Sequence, residues 1–301
     1  MALLLLERAI ALDPELGAQM DAAVGRPAFV KYFIEKHPSH ATSVGPWKAF
    51  VMEQISRAVV DGDLTAFVTG LQHEPWLLGD AWVNFQDGLI GAASLNNREE
   101  FIVALFDLNP AILRHQPPPR SQAIEHAFTY ANTHLIPLLT RIWPLPDDLP
   151  HAAGMGDLSR VKRWFDAEGK AALGDLANQA PATSVHPREP QWGEVGAQQV
   201  LDTALAWSVT NRHFNVADFL LAHGADINTN WNSHEPASIL HHLVFYGSHE
   251  SMQFLIDRGI DMTIKDYRWN STAQGWARYG KNDEKMAQWL EAAERQRELR
   301  R

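Results

Sequence analysis

Two stretches near the end of the sequence repeat one pattern at a fixed spacing. Residues 216–227 read VADFLLAHGADI and residues 251–262 read SMQFLIDRGIDM, so each position has a counterpart 35 residues later. A fixed period of this length is typical of a chain built from similar stacked units, each of which packs mainly against its neighbours. The period predicts a solenoid, an architecture that usually presents a surface rather than enclosing a reaction.

The repeated stretch itself predicts a helix that ends at a glycine. Val216, Phe219 and Leu220 lie three and four residues apart and therefore share one face of a helix. Gly224 follows the last turn, where a left-handed backbone favours a residue without Cβ. Because an apolar segment, 205–210, comes before it, the predicted unit is helix, short turn, helix, glycine and extended loop.

The order of motifs within the unit is as informative as its length. Leu240 and His241 open the first helix of the later copy, and Gly247 separates its two helices. An apolar pair, Phe254–Leu255, and the triplet Gly259–Ile260–Asp261 follow. This order resembles the ankyrin repeat, whose consensus has L-H, a glycine between the helices, L-L and then G-A-D. The segment LPHAAGMGD that begins at Leu149 fits the same consensus.

Weaker copies of the unit extend towards the N-terminus. The resemblance is clear for 200–291 and good for 148–166, whereas 20–140 is divergent and a generic array of helical hairpins is the alternative there. One apolar position of each predicted second helix marks the copies: Phe33, Leu71, Leu105, Leu138, Trp164, Phe219, Phe254 and Trp289. The resemblance implies an all-α, ankyrin-like solenoid of about seven or eight helix-turn-helix repeats with short hairpin loops.

The spacing of these copies predicts the organisation of the chain. We expect an N-terminal helical cap with divergent repeats over 1–140 and ankyrin repeats over 141–301, in one continuous solenoid. One step between copies is 26 residues and the next is 55, so a loop insertion is expected at 169–198. A charged helix is expected to end the chain, as a polar cap that a solenoid needs for solubility.

Composition limits the class of partner. The net charge of −10 disfavours nucleic acid, because phosphate binding requires a basic stripe. The chain has no cysteine, which excludes disulfides, thiolate nucleophiles and cysteine-ligated metals. The apolar run after Met1 is short and lacks a basic n-region, and no stretch reaches the ~18 apolar residues of a membrane span. We therefore expect a cytoplasmic monomer that binds no membrane and no nucleic acid.

The sequence contains no motif that indicates catalysis or a cofactor. It has no Gly-x-Ser-x-Gly elbow, no phosphate loop and no dinucleotide fingerprint. His234, Glu235, His241 and His242 lie close in sequence, but no pair has the spacing of a zinc helix motif. The resemblance implies that His241 starts the first helix and bonds neighbouring loop backbone. We therefore predict no metal, no cofactor and no catalytic residue.

Aromatic residues between the best copies are the candidates for partner binding. Trp231 and Trp269 fall in segments that line a groove in ankyrin proteins, and aromatic residues with arginine are typical of binding hot spots. The alternative is that each ring covers the edge of the adjacent hairpin. The complete predicted set is Trp192, Trp207, Trp231, His234, Glu235, His242, Tyr267, Arg268, Trp269, Trp276, Arg278 and Tyr279.

These observations favour a non-catalytic scaffold or adaptor that binds a protein through a concave face. The acidic net charge is compatible with a partner that has a basic patch. One alternative is an immunity or antitoxin-like inhibitor of a basic protein, which the acidic composition would suit. The other is a hydrolase-type enzyme with a site near 231–242. That alternative requires His234, Glu235 and His242 to converge in one polar pocket.

Overall fold

All of the regular secondary structure in the described residues is helical, as the sequence predicts. The computed structural model describes residues 44–114, 121–170, 196–231 and 237–299, and these contain no extended β-strand. The chain divides into two compact units, 1–115 and 116–301, which we describe one at a time. The domain boundary expected between residues 140 and 141, and the total of seven or eight repeats, stay predictions.

The N-terminal unit consists of two helical hairpins in its described part. Short 3-10 turns at Pro75–Leu78, Asp80–Trp82 and Pro110–Arg114 connect or follow them. The four helices are α1 (Pro46–Asp61), α2 (Leu64–His73), α3 (Val83–Leu95) and α4 (Glu99–Leu108).

A tight turn joins α1 to α2. Gly62 takes a left-handed backbone with φ of 78°, and the side chain of Asp63 caps α2 by accepting from the backbone N–H of Ala66 at 2.9 Å. The second helices of the two hairpins meet through Phe67 and Phe101, whose rings contact edge to face at 5.1 Å. The divergent sequence of this unit therefore still encodes helical hairpins that pack side by side.

The C-terminal unit adds five pairs of helices in its described residues. The first two pairs are short, and a 3-10 turn, Thr133–Leu135, precedes α6. The helices are α5 (Gln122–Thr129), α6 (Ile136–Leu139), α7 (Leu149–Gly154), α8 (Leu158–Lys162), α9 (Ala197–Thr210), α10 (Phe214–Ala222), α11 (Ile239–Tyr246), α12 (His249–Asp257), α13 (Ala273–Gly275) and α14 (Glu284–Glu298). A single π-helical turn, Trp276–Gly280, continues α13.

The period of 35 residues is visible in the second helices of the last three pairs. Helices α10, α12 and α14 begin at Phe214, His249 and Glu284, one period apart. Gly224 and Gly259 follow α10 and α12 with φ of 98° and 89°, the left-handed backbone that the sequence predicts. The equivalent leucines of the three helices are fully buried: Leu220, Leu255 and Leu290.

The first helices pack in a row and form the centre of this unit. Helix α7 contacts α9, α9 contacts α11, and α11 contacts α13. Trp207, His242 and Ala277 lie one period apart along this row, and each is at most 1% exposed. The Trp207 ring stacks on Phe128 at 5.1 Å and donates its indole N–H to the hydroxyl of Thr129 at 3.0 Å. Trp207 is therefore a core residue and does not lie on an open wall.

Hydrogen bonds from backbone N–H groups to polar side chains hold the loops in place. The backbone N–H of Asp226 donates to the carboxylate of Asp202 at 2.8 Å. In the next loop, the N–H of Asp261 donates to the side chain of Asn228 at 2.7 Å, which links the loops of two successive repeats. These bonds satisfy loop backbone groups that side-chain packing alone would leave unpaired.

Most of the insertion expected at 169–198 lies outside the described residues.

Candidate functional site: an aromatic groove

A groove with mainly aromatic walls opens in the last two repeats. It lies between α11, the segment that precedes α13 and the π-helical turn, and its volume is about 740 Å³. Sites for ligands and peptide side chains commonly have volumes of about 300 to 1,000 Å³ and apolar walls with a few polar groups. The residues that define this aromatic groove are Phe245, Tyr246, Trp269, Asn270, Trp276 and Tyr279.

Several of these rings are open to solvent. Tyr279 is 83% exposed, Trp269 is 60% exposed and Phe245 is 40% exposed. Single exposed apolar residues are common on soluble proteins, but contiguous aromatic ones around a concavity mark interaction sites. Exposure and concavity together make this groove the strongest candidate for a contact surface within the described residues.

Trp276 is the central ring of the groove. Its ring meets that of Trp269 at 5.6 Å between centroids with an angle of 77°, and that of Phe245 at 5.8 Å with an angle of 64°. Edge-to-face contacts of this kind are favoured by the quadrupoles of aromatic rings. The three rings therefore support one another and line the cavity at steep mutual angles.

A buried carboxylate shapes the loop that carries Trp269. Asp266 is only 3% exposed and accepts three hydrogen bonds: from the backbone N–H of Trp269 at 2.6 Å, from that of Ser271 at 2.9 Å and from the indole of Trp276 at 3.0 Å. Burial on its own raises the pKa of Asp266, but these donors outweigh it and hold the pKa below its usual value. The residue is therefore ionised at neutral pH and fixes both tryptophans.

His241 ties the same loop to the start of α11. Its Nδ1 accepts from the backbone N–H and the hydroxyl of Ser238 at 3.2 and 2.7 Å, and its Nε2 lies 3.0 Å from the carbonyl of Ser271. Because a carbonyl only accepts, the proton must be on Nε2. Burial lowers the pKa of His241, so the ring is neutral. The structural role that the sequence predicts for this histidine is confirmed.

The π-helical turn sets the position of Tyr279. The N–H of Lys281 bonds the carbonyl of Trp276 at 2.9 Å, a five-residue step that widens the helix. The ammonium of Lys281 bonds the carbonyl of Val244 at 2.7 Å, which closes the turn onto the end of α11. Turns of this type occur often at functional sites. Here the turn places Tyr279 at the rim of the groove.

The comparison with known protein families agrees with this architecture. The family model of ankyrin repeats (three copies) matches residues 188–266. The chain therefore contains ankyrin repeats over this stretch. The match spans α9 to α12 and ends at Asp266, so most of the groove lies just beyond it. No curated protein is significantly similar to the sequence.

Ankyrin repeats are generally modules for protein–protein interaction, and the family is typically non-catalytic. Among the described residues, no group of three or more His, Asp or Glu side chains could hold a metal ion. None of the described helices is both long and apolar enough to span a membrane.

The structure brings four of the predicted contact residues to one groove. Trp269, Trp276 and Tyr279 line it with exposed or half-buried rings, and His242 lies at its base. His242 is only 1% exposed, and its Nε2 lies 2.6 Å from the carbonyl of Thr129. It therefore serves the contact between α5 and α11.

Trp231 does not belong to this surface. It is only 4% exposed, donates its indole N–H to the hydroxyl of Thr203 at 3.2 Å, and contacts His242 edge to face at 5.1 Å. Its ring packs against the adjacent repeat, as the alternative to partner binding predicts. We leave Trp231, Trp207 and His242 out of the contact surface, because burial removes their side chains from a partner.

The remaining predicted residues lie around the groove or outside the described part. Tyr267 is 59% exposed but does not line the groove, and the guanidinium of Arg268 lies 5.4 Å from the Trp269 ring centroid. Arg278 forms ion pairs with Glu284 at 2.9 Å and Glu291 at 3.5 Å. Three predicted residues lie outside the described residues: Trp192, His234 and Glu235.

Sequence reasoning missed Phe245, Tyr246 and Asp266. The two rings end α11, a helix whose eight residues are almost all apolar or aromatic. Such a helix cannot bury every side, so exposed rings at its last turn were foreseeable. Asp266 lies one period after Trp231. That register would have placed both side chains on the buried side of their loops.

Proposed function

We propose that this protein is a non-catalytic protein-binding module and that the aromatic groove is its contact surface. The single observation that carries the proposal is the cluster of exposed rings, Phe245, Trp269 and Tyr279, around one concavity between two repeats. Hot spots of protein interfaces are enriched in tryptophan and tyrosine and lie in pockets that exclude water on binding.

The geometry of the loop supports this use of the groove. Asp266 and His241 hold the loop through hydrogen bonds to Trp269, Ser271 and Trp276. A surface that is fixed before binding loses little conformational entropy when the partner arrives. The groove is therefore suited to an affinity higher than its area alone would give.

More specifically, we propose that the protein is a scaffold or adaptor that acts as a monomer in the cytoplasm. The resemblance to ankyrin proteins and the acidic net charge of −10 support this part of the proposal. A negative protein attracts a partner with a basic surface at long range and speeds their encounter.

The test compares binding by the wild-type chain and by Trp269→Ala/Tyr279→Ala. Proteins from the native host that the immobilised wild-type chain retains are identified, and the retained partner is then purified and titrated by calorimetry. We expect the double substitution to weaken the affinity at least tenfold, because hot-spot truncation costs about 2 kcal/mol or more.

Tyr267→Ala is the matched control, because Tyr267 is as exposed as Trp269, lies in the same loop and does not line the groove. The affinity of the Tyr267→Ala chain for the partner is expected to stay within about twofold of that of the wild type. Equal loss in the control and in the double variant, or no loss in either, would contradict the proposal. Thermal melts of all three chains separate lost contacts from lost folding.

A further inference from the structure

We propose that the aromatic groove binds a basic segment of the partner and receives a lysine or arginine side chain against the ring of Trp276. This inference rests on the proposed function and gives the chemistry of the partner. Three features of the described residues carry it: an uncompensated buried charge, rings that attract cations, and unpaired polar groups at the rim.

The first feature is the charge of Asp266. A buried charge is normally paired with an opposite charge, because removal from water is costly. Asp266 is 3% exposed and ionised, yet its partners are N–H groups and no lysine or arginine of the described residues pairs with it. His241 lies near it but is neutral. A negative charge without a counter-ion therefore lies behind the groove.

The charge acts through the ring that the groove presents. Trp276 donates its indole N–H to Asp266 at 3.0 Å. A hydrogen bond to an anion polarises the donor, which makes the π-face of the indole more negative. Tryptophan already binds cations better than the other aromatic side chains. The ring of Trp276 is thus suited to a cation although no charged side chain is among the residues that define the groove.

The same chain shows this chemistry at two other tryptophan sites. In the N-terminal unit, the ammonium of Lys48 lies 4.9 Å from the ring centroid of Trp76 and 5.2 Å from that of Trp82. In the C-terminal unit, Arg268 lies over Trp269. In contrast, no lysine or arginine of the described residues lies over Trp276, which leaves its place for a cation open.

The two cations that follow Trp276 in sequence, Arg278 and Lys281, do not fill that place. Arg278 is held by Glu284 and Glu291, with its shortest contact at 2.9 Å. Lys281 is held by the carbonyl of Val244 at 2.7 Å. An external cation therefore has no internal competitor among these groups.

The rim indicates a polypeptide rather than a free small cation. The indole N–H of Trp269, the amide of Asn270 and the hydroxyl of Tyr279 have no hydrogen-bond partner among the described residues. These groups supply donors and acceptors for the main chain on either side of a bound side chain. A volume of about 740 Å³ holds a lysine or arginine side chain with its flanking backbone.

The test uses short capped peptides with one central residue between glycines, titrated into the isotope-labelled wild-type chain. The central residue is lysine, arginine, norleucine, acetyl-lysine or glutamate. The indole N–H signals of Trp269 and Trp276, assigned with single Trp→Phe variants, report binding by NMR. We expect the lysine and arginine peptides to bind roughly threefold to tenfold more tightly than norleucine and acetyl-lysine, and glutamate to bind most weakly.

Equal affinity for lysine and norleucine would overturn the inference, as would preference for glutamate or absence of any shift with the basic peptides. The peptide comparison uses the wild-type chain, so it does not depend on a variant that folds. If the Trp269→Ala/Tyr279→Ala chain no longer binds the partner but the lysine and norleucine peptides bind the wild-type chain equally, the proposed function stands. Only the inference about a basic segment is then rejected.

Discussion

Two loops of the C-terminal unit begin in the same way and end differently. The first loop, residues 224–231, and the second loop, residues 259–272, each begin at a left-handed glycine. The first loop directs Trp231 inwards, where it is 4% exposed, whereas the second leaves Trp269 60% exposed. A tryptophan in an inter-repeat segment is therefore not evidence of a binding site until its register is known.

The register explains the difference. Trp231 and Asp266 lie one period apart, and both side chains are buried. The first loop is held by an apolar ring and the second by a hydrogen-bonded carboxylate. Because the carboxylate takes the inward position, Trp269 lies three residues further along and stays outside. The polar anchor of the second loop thus makes its aromatic ring available for binding.

The largest expected effect comes from Trp231→Ala. Removal of a fully packed indole should lower the free energy of unfolding by about 3 to 5 kcal/mol. Trp269→Ala, the matched change in the second loop, should lower it by less than about 0.5 kcal/mol, because its ring is mostly in water. Urea denaturation followed by circular dichroism measures both. Similar losses for the two variants would remove the distinction between the loops.

A smaller effect is expected from Asp266→Ala. This change leaves the indole of Trp276 and the N–H groups of Trp269 and Ser271 without their acceptor, and each buried donor left unpaired costs about 1 to 3 kcal/mol. Because these donors have partial access to water, the total loss of unfolding free energy should be near the low end of the sum of the three costs. The indole N–H signals of Trp269 and Trp276 should also shift. Asp261→Ala is the control, because Asp261 is exposed in the same loop.

The pH dependence of stability should distinguish the loops further. The pKa of Asp266 is lowered by its hydrogen bonds, so its contribution is fully present above about pH 4 and is lost as pH falls below that value. Trp231 does not titrate. Exchange of backbone amides in the second loop should therefore accelerate in acid before exchange in the first loop does. Simultaneous acceleration would contradict the assignment of Asp266 as the anchor.

His241 gives a weaker pH effect in a different range. Burial lowers its pKa, so below about pH 6.5 the unfolded chain binds a proton that the folded chain does not. Stability should fall as pH decreases from that value, by at most about 1.4 kcal/mol per pH unit for this one group. His241→Gln should remove this share of the slope. If the slope of stability against pH is the same in the variant, the pH dependence comes from other histidines. His213 is one such residue, because burial also lowers its pKa.

The period allowed most of the fold to be predicted from the sequence. Gly224, Gly259 and the spacing of Leu220 and Leu255 specify helix ends and buried faces by local rules, and the structure follows them. The role of His241 was also predicted, because its hydrogen bonds are part of the repeat. Local patterns define such features since they depend on neighbours at a fixed distance in sequence.

The site was predicted only in part, because exposure depends on contacts between repeats. Trp269, Trp276 and Tyr279 were selected by residue type, and so was Trp231, which proved to be buried. Residue type alone does not tell which ring meets a neighbouring helix. The π-helical turn that places Tyr279 at the rim has no sequence rule of comparable strength.

Photo-crosslinking from the groove tests the central claim most directly. A benzophenone amino acid replaces Tyr279 in one chain and Tyr267 in another, and each chain is irradiated with the purified partner. We predict a crosslink from position 279 to a segment of the partner rich in lysine or arginine, and none from position 267. A crosslink from 267 alone, or one from 279 to an acidic segment, would contradict the account.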